Sequence, residues 1–202
     1  MLARTISDLA NPLILPPTVL GIIGYTVPLS FSNILLLLVI TLFFFSFIPG
    51  AIALAVSLYY PNGSLDFPNR DTRIPFYGFS ILSVFTGSIL MLDLFNNAMI
   101  RLVTFIFVIT LFGGFIINFK WKISLHTLTL TTCGCCLLLA GFTTMAGNLL
   151  IFTGMVLLSM ISPLMIWARY HLKIHSMPEL FGGSITGCLS TALIFFAWTS
   201  LG

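Results

Sequence analysis

The chain has 202 residues, of which 58% are hydrophobic and only 6% charged. A soluble domain carries about 25% charged residues to solvate its surface, so this composition excludes a water-soluble globule and demands an outer surface that faces lipid. The net charge of +3 is dispersed along the chain, which argues against nucleic acid as a partner.

A membrane-crossing helix needs about 20 mostly apolar residues. Seven candidate segments follow in chain order: 12–29, 33–58, 75–95, 98–118, 125–142, 148–168 and 180–199. The N-terminal stretch has one Arg before its apolar run and no small-x-small cleavage site, so it is expected to be a retained helix rather than a signal peptide. Pro12, Pro16 and Pro17 crowd the start of the first segment, which a helix tolerates in its first turn. Pro49-Gly50 predicts a kink in the second segment and Pro163 one in the sixth. Cys133, Cys135 and Cys136 lie in the fifth and Cys188 in the seventh. All four are read as buried small apolar residues rather than a disulfide framework. The expected fold is an all-α polytopic membrane bundle of six to seven transmembrane helices, forming one domain over residues 1–202.

The connections divide by charge. Residues 30–33, 96–97 and 143–147 form short, nearly charge-free links. The N-terminus and segments 61–75, 118–126 and 168–179 carry nearly all the charge. Two helices separate each of these charged segments from the next. An even number of crossings returns the chain to the same side, so all four are expected on one face.

That face gathers Asp66-Phe-Pro-Asn-Arg70-Asp-Thr-Arg73-Ile-Pro75, Lys120-Trp-Lys122-Ile-Ser124-Leu-His126, and Arg169-Tyr-His171-Leu-Lys-Ile-His175-Ser-Met-Pro-Glu179. Ionisable groups at a membrane boundary are costly to desolvate and are functional candidates by default. Arg presents planar forked donors that match phosphate oxygens, and Lys a point charge. An imidazole can act as a nucleophile or as an acid, and a carboxylate on its far nitrogen fixes the tautomer. His175 and Glu179 stand at i and i+4, on one face of a helical turn.

These motifs resemble the type 2 phosphatidic acid phosphatase superfamily, whose signature runs K-x6-R-P, P-S-G-H and S-R-x5-H-x3-D. The third part is matched in spacing by Ala168-Arg169, His175 and Glu179. The second is Ile123-Ser124-Leu125-His126, and the first is Arg73-Ile74-Pro75. The order of Asn11-Pro12-Leu13, Arg73–Pro75, Lys122–His126 and Ala168–Gly183 is similar to a compact bacterial branch of that superfamily. The resemblance implies a phosphatase of a lipid phosphate or pyrophosphate in a bacterial inner membrane, working without metal or other cofactor. It implies His175 as the nucleophile that forms a phosphohistidine, Glu179 as its orienter and His126 as the general acid. Arg73, Arg169 and Ser124 would hold the phosphoryl oxygens. Asp66 stands where the superfamily has its first Lys, so Arg70 or Lys122 would supply that cation. Ile123, Leu125, Ala168 and Glu179 are the other departures. Phosphatidic acid, phosphatidylglycerophosphate, a polyprenyl pyrophosphate and the lipid A phosphates are all candidate substrates.

Rival readings attach to the same residues. Lys120 and Lys173 read as interfacial anchors and His171 as structural. His171, His175 and Glu179 also have the spacing of metal ligands. The departures suggest an alternative protein: a weakened or inactive member serving in lipid binding, transport or assembly. Seven of the eight Lys and Arg fall on the motif face, which by the positive-inside rule makes it cytoplasmic. The resemblance implies the periplasmic or luminal side instead.

Overall fold

The computed structural model describes residues 2–59, 70–144 and 147–201. These form eight helices: α1 (Leu2–Leu9), α2 (Leu15–Thr26), α3 (Phe31–Tyr59), α4 (Arg70–Leu94), α5 (Ala98–Asn118), α6 (Leu125–Thr143), α7 (Gly147–His171) and α8 (Met177–Leu201). Helices α3 to α8 are long and apolar enough to cross a membrane. The chain is thus an all-α integral membrane protein. Its outer face is built from exposed side chains such as Val39, Phe47, Phe79, Phe112, Phe152 and Phe196.

The first expected segment, 12–29, needs correction. Residues 12–14 form a turn, and the helix that follows, α2, has 12 residues. At 1.5 Å per residue it is about 18 Å long, short of the roughly 30 Å hydrocarbon core. The prolines are the cause: Pro12 sits in the turn, and Pro16 and Pro17 occupy the first helical turn, where a missing N–H is harmless. Its Val19, Leu20 and Ile23 are almost completely buried, so α2 lies inside the bundle rather than against lipid. Ahead of it, α1 packs on the second half of α7, on the motif side.

Both places where a kink was expected carry the same irregularity. A wide π-type turn at Leu42–Phe47 precedes Pro49, and another at Leu157–Ile161 precedes Pro163. Proline removes the donor to the carbonyl four residues back, and a π turn shifts the ladder around that loss. On the other side of the bundle, the Arg101 guanidinium donates to the carbonyls of Leu92 (3.1 Å) and Phe95 (3.3 Å). It thereby caps the end of α4.

Small residues set the packing of α6. Gly183 and Gly187 of α8 bring that helix onto Thr127 and Thr131, and a Cβ at these glycines would strike the carbonyls of Ser124 and Leu128 respectively. Thr127 donates to the Leu180 carbonyl at 2.9 Å and Thr131 to that of Ser184 at 3.3 Å. In lipid such close approach and such hydrogen bonds replace the hydrophobic drive between helices. Of the cysteines, Cys133 and Cys136 are buried. Cys188 is exposed on the outer side of α8, contrary to the expectation of burial, with its Sγ 3.7 Å from that of Cys135. A 3.6-residue period does not tell an inward thiol from an outward one when both faces of the helix are apolar.

Gly183→Ala should therefore lower the thermal midpoint in detergent, with a cost of about 1–3 kcal/mol for overpacking. Gly113→Ala, where a Cβ meets nothing within 4 Å, should leave the midpoint unchanged or raise it.

Candidate active site

The three charged segments meet. Arg73 near the start of α4, Lys122 and His126 around the start of α6, Arg169 in the last turn of α7, and His175 in the α7–α8 connection line one cavity of about 350 Å³. Asn11, Pro12 and Leu13 also line it, as do Gly50, Ala53 and Leu54 of α3.

The turn that delivers His175 is built locally. Helix α7 ends with the Ile174 N–H on the Arg169 carbonyl (3.2 Å) and the Lys173 N–H on that of Tyr170 (2.9 Å). Lys173 takes the left-handed conformation, φ 56°, that usually falls to glycine at this place. The Ile174 carbonyl then accepts from Lys122 Nζ at 3.1 Å. Ser176 opens α8, and its N–H donates to Glu179 Oε2 at 3.0 Å, the acidic half of a capping box. Pro178 fits within that first turn.

The same Glu179 oxygen takes the His175 Nδ1 at 3.1 Å. An Nδ1–H tautomer follows, leaving the Nε2 lone pair for the cavity. Burial, then the positive Arg169 and Lys122, push the His175 pKa down from 6.5 to about 4, against the pull of Glu179. The ring is therefore neutral at physiological pH, the form a nucleophile requires.

The cations are held by groups that sequence reasoning missed. Arg73 Nη1 donates to Asn118 Oδ1 at 2.9 Å. The Asn118 amide also accepts from Ile123 N–H (3.3 Å) and donates to Tyr77 Oη (3.1 Å) and the Gly114 carbonyl (2.8 Å). One buried side chain thus ties α4, α5 and the entry to α6 together. Arg169 is 2% exposed, and its Nη1 donates to Ser7 Oγ at 3.1 Å, a residue 162 positions away on α1. Neither partner has a motif of its own. The available signal is only that Asn118 and Ser7 are polar residues in apolar or amphipathic helical stretches.

Other expected residues sit elsewhere. Ser124 is fully buried and is not part of the cavity wall; its Oγ has no hydrogen-bond partner among the described residues. Its N–H donates instead to the Glu179 carbonyl at 3.1 Å, binding the start of α6 to α8. It has a β/extended conformation just ahead of α6. His171 stacks on Trp167, ring centres 5.3 Å apart, away from this cavity. With Glu179 it lines a separate outer hollow, which Lys122 and His175 also border. Asp66 and the side chain of Arg70 lie outside the described residues.

Comparison of the chain with protein-family models, with curated proteins and with solved structures finds no match.

Asn118→Ala should cost about 1–3 kcal/mol, because it strips buried donors and acceptors of their partners. Thermal unfolding in detergent checks this, and a loss below half a kcal/mol would show that the amide is not structural.

Proposed function

We propose that this protein is a membrane phosphatase of lipid phosphates or pyrophosphates, acting through a phosphohistidine on His175. One observation carries the reading: a neutral imidazole, oriented by a carboxylate, opens into the same cavity as two guanidiniums, an ammonium and a second histidine. The motif resemblance supports it independently of that geometry.

The chemistry follows from the charges. Arg73, Arg169 and Lys122 neutralise the phosphoryl oxygens and stabilise charge that builds in the transition state. His175 Nε2 attacks phosphorus, and the P–O bond to the lipid breaks. His126 gives a proton to the leaving oxygen. The positive charge that develops on His175 is stabilised by Glu179 through Nδ1–H. Water then attacks the phosphohistidine, with His126 now accepting the proton, and inorganic phosphate leaves. A site at the membrane boundary lets an amphiphile present its head while its hydrocarbon stays in an apolar medium. The compartment would be a bacterial inner membrane.

The burial of Ser124 away from the cavity favours the rival reading, a weakened or inactive relative serving in lipid binding, transport or assembly. Phosphate release from a panel of lipid phosphates by purified protein decides between them. His175→Ala should lower kcat by at least about 10³-fold, as loss of a covalent nucleophile does. Equal release from wild type and variant would remove the nucleophile and leave the rival.

The pH profile gives a second test. Because the His175 pKa is lowered, the ring stays unprotonated as pH falls below 6.5, and nucleophilic capacity is lost only near pH 4. The acid limb of kcat/KM, which reports the free enzyme, should lie well below 6.5. In Glu179→Gln the ring loses its anionic partner, so kcat should drop while the acid limb moves no higher.

A further inference from the structure

A second cavity lies inside the bundle against the first. It shares Pro12, Leu13, Phe76 and Leu125 with the polar cavity. From there it runs inward along α4 to Ser80 and Val84 and along α6 to Leu128 and Thr132, one and two helical turns deeper. None of its lining residues is exposed. Its walls are nearly all hydrocarbon, and at about 60 Å³ it is far smaller than the 350 Å³ cavity it adjoins.

Protein interiors are close-packed, with few voids. This void has identifiable props. Pro12, Pro16 and Pro49 line it, and Phe45 enters it from the π turn of α3. Those are the places where proline prevents a regular helix from closing on its neighbours. A mostly apolar slot bordering a cationic chamber matches a molecule with an anionic head and a hydrocarbon tail. The tail gains little free energy by entering, because the bilayer it leaves is equally apolar. The slot therefore acts on position and choice: it orients the head below the cations and admits a tail of limited width.

We infer that the inner cavity receives the first carbons of a single hydrocarbon chain, making the preferred ligands single-chain phosphates or diphosphates rather than two-chain glycerophospholipids. This rests on the phosphatase reading for the site's chemistry, while the binding claim can be tested without turnover. The probe is a long-chain alkyl phosphonate, which a phosphatase cannot cleave, carrying a diazirine on the carbons nearest the head. It is photolysed with full-length protein in lipid nanodiscs. Labelling should fall on interior positions such as Ser80, Val84 and Thr129. Labelling confined to lipid-facing Leu82 and Phe85 would overturn the inference.

Thr129→Trp and, as a second variant, Val84→Phe fill the slot. In whichever folds, by thermal midpoint, interior labelling should fall at least about tenfold. Unchanged labelling would count against the slot. Unlabelled single-chain alkyl phosphate should compete at least about tenfold better than two-chain phosphatidate; equal competition would reject the single-chain choice. Phosphate release is read separately. If wild type releases none from any lipid phosphate, the phosphatase reading fails while the labelling still decides the tail site.

Discussion

The site depends on one backbone hydrogen bond and the packing that allows it. The Ser124 N–H donates to the Glu179 carbonyl at 3.1 Å, joining the start of α6 to the first turn of α8. That bond needs the two helices almost in backbone contact, and Gly183 provides the clearance. Once it forms, His126 on α6 and His175 just ahead of α8 must face the same space. Their sequence separation of about fifty residues becomes irrelevant. In a membrane, where apolar contact alone does not favour one helix pairing over another, such a polar fastening specifies the partner.

Around this joint, each cation is held before any ligand arrives. Asn118 holds Arg73, Ser7 holds Arg169 and the Ile174 carbonyl holds Lys122. A buried charge is tolerable only with hydrogen-bond partners. These three partners are neutral acceptors that replace part of the water each cation would otherwise bind. Burial, and then Arg169 and Lys122, lower the His175 pKa even though Glu179 opposes them. The Glu179 carboxylate serves the helix and the imidazole at once, which makes the start of α8 part of the site.

The prolines link fold to function in another way. They shorten α2, force π turns in α3 and α7, and leave unfilled space in the centre of the bundle. Such features would weaken a bundle whose only task was to be stable. Here Pro12, Pro16 and Pro49 line the inner cavity beside the cationic chamber, and residues 13–28 run from the chamber wall to a hollow that Thr26 and Pro28 line.

Much of the architecture was legible in the sequence because it follows from solvent. With 6% charged residues the outer surface has to be lipid, and backbone groups in lipid have to be satisfied within helices. Runs of about 20 apolar residues then mark the spans, and counting crossings puts the charged connections on one side. The i, i+4 relation of His175 and Glu179 was equally readable, since it is local. What the sequence left open was everything set by non-local packing. Ser124, in a motif, turned out to point into protein, while Ser7 and Asn118, in none, hold the arginines. The short α2 and the outward Cys188 were also decided in three dimensions, because hydropathy treats lipid and protein interior as the same medium. Composition and periodicity report which solvent a residue prefers; only tertiary structure determines which neighbour it meets there.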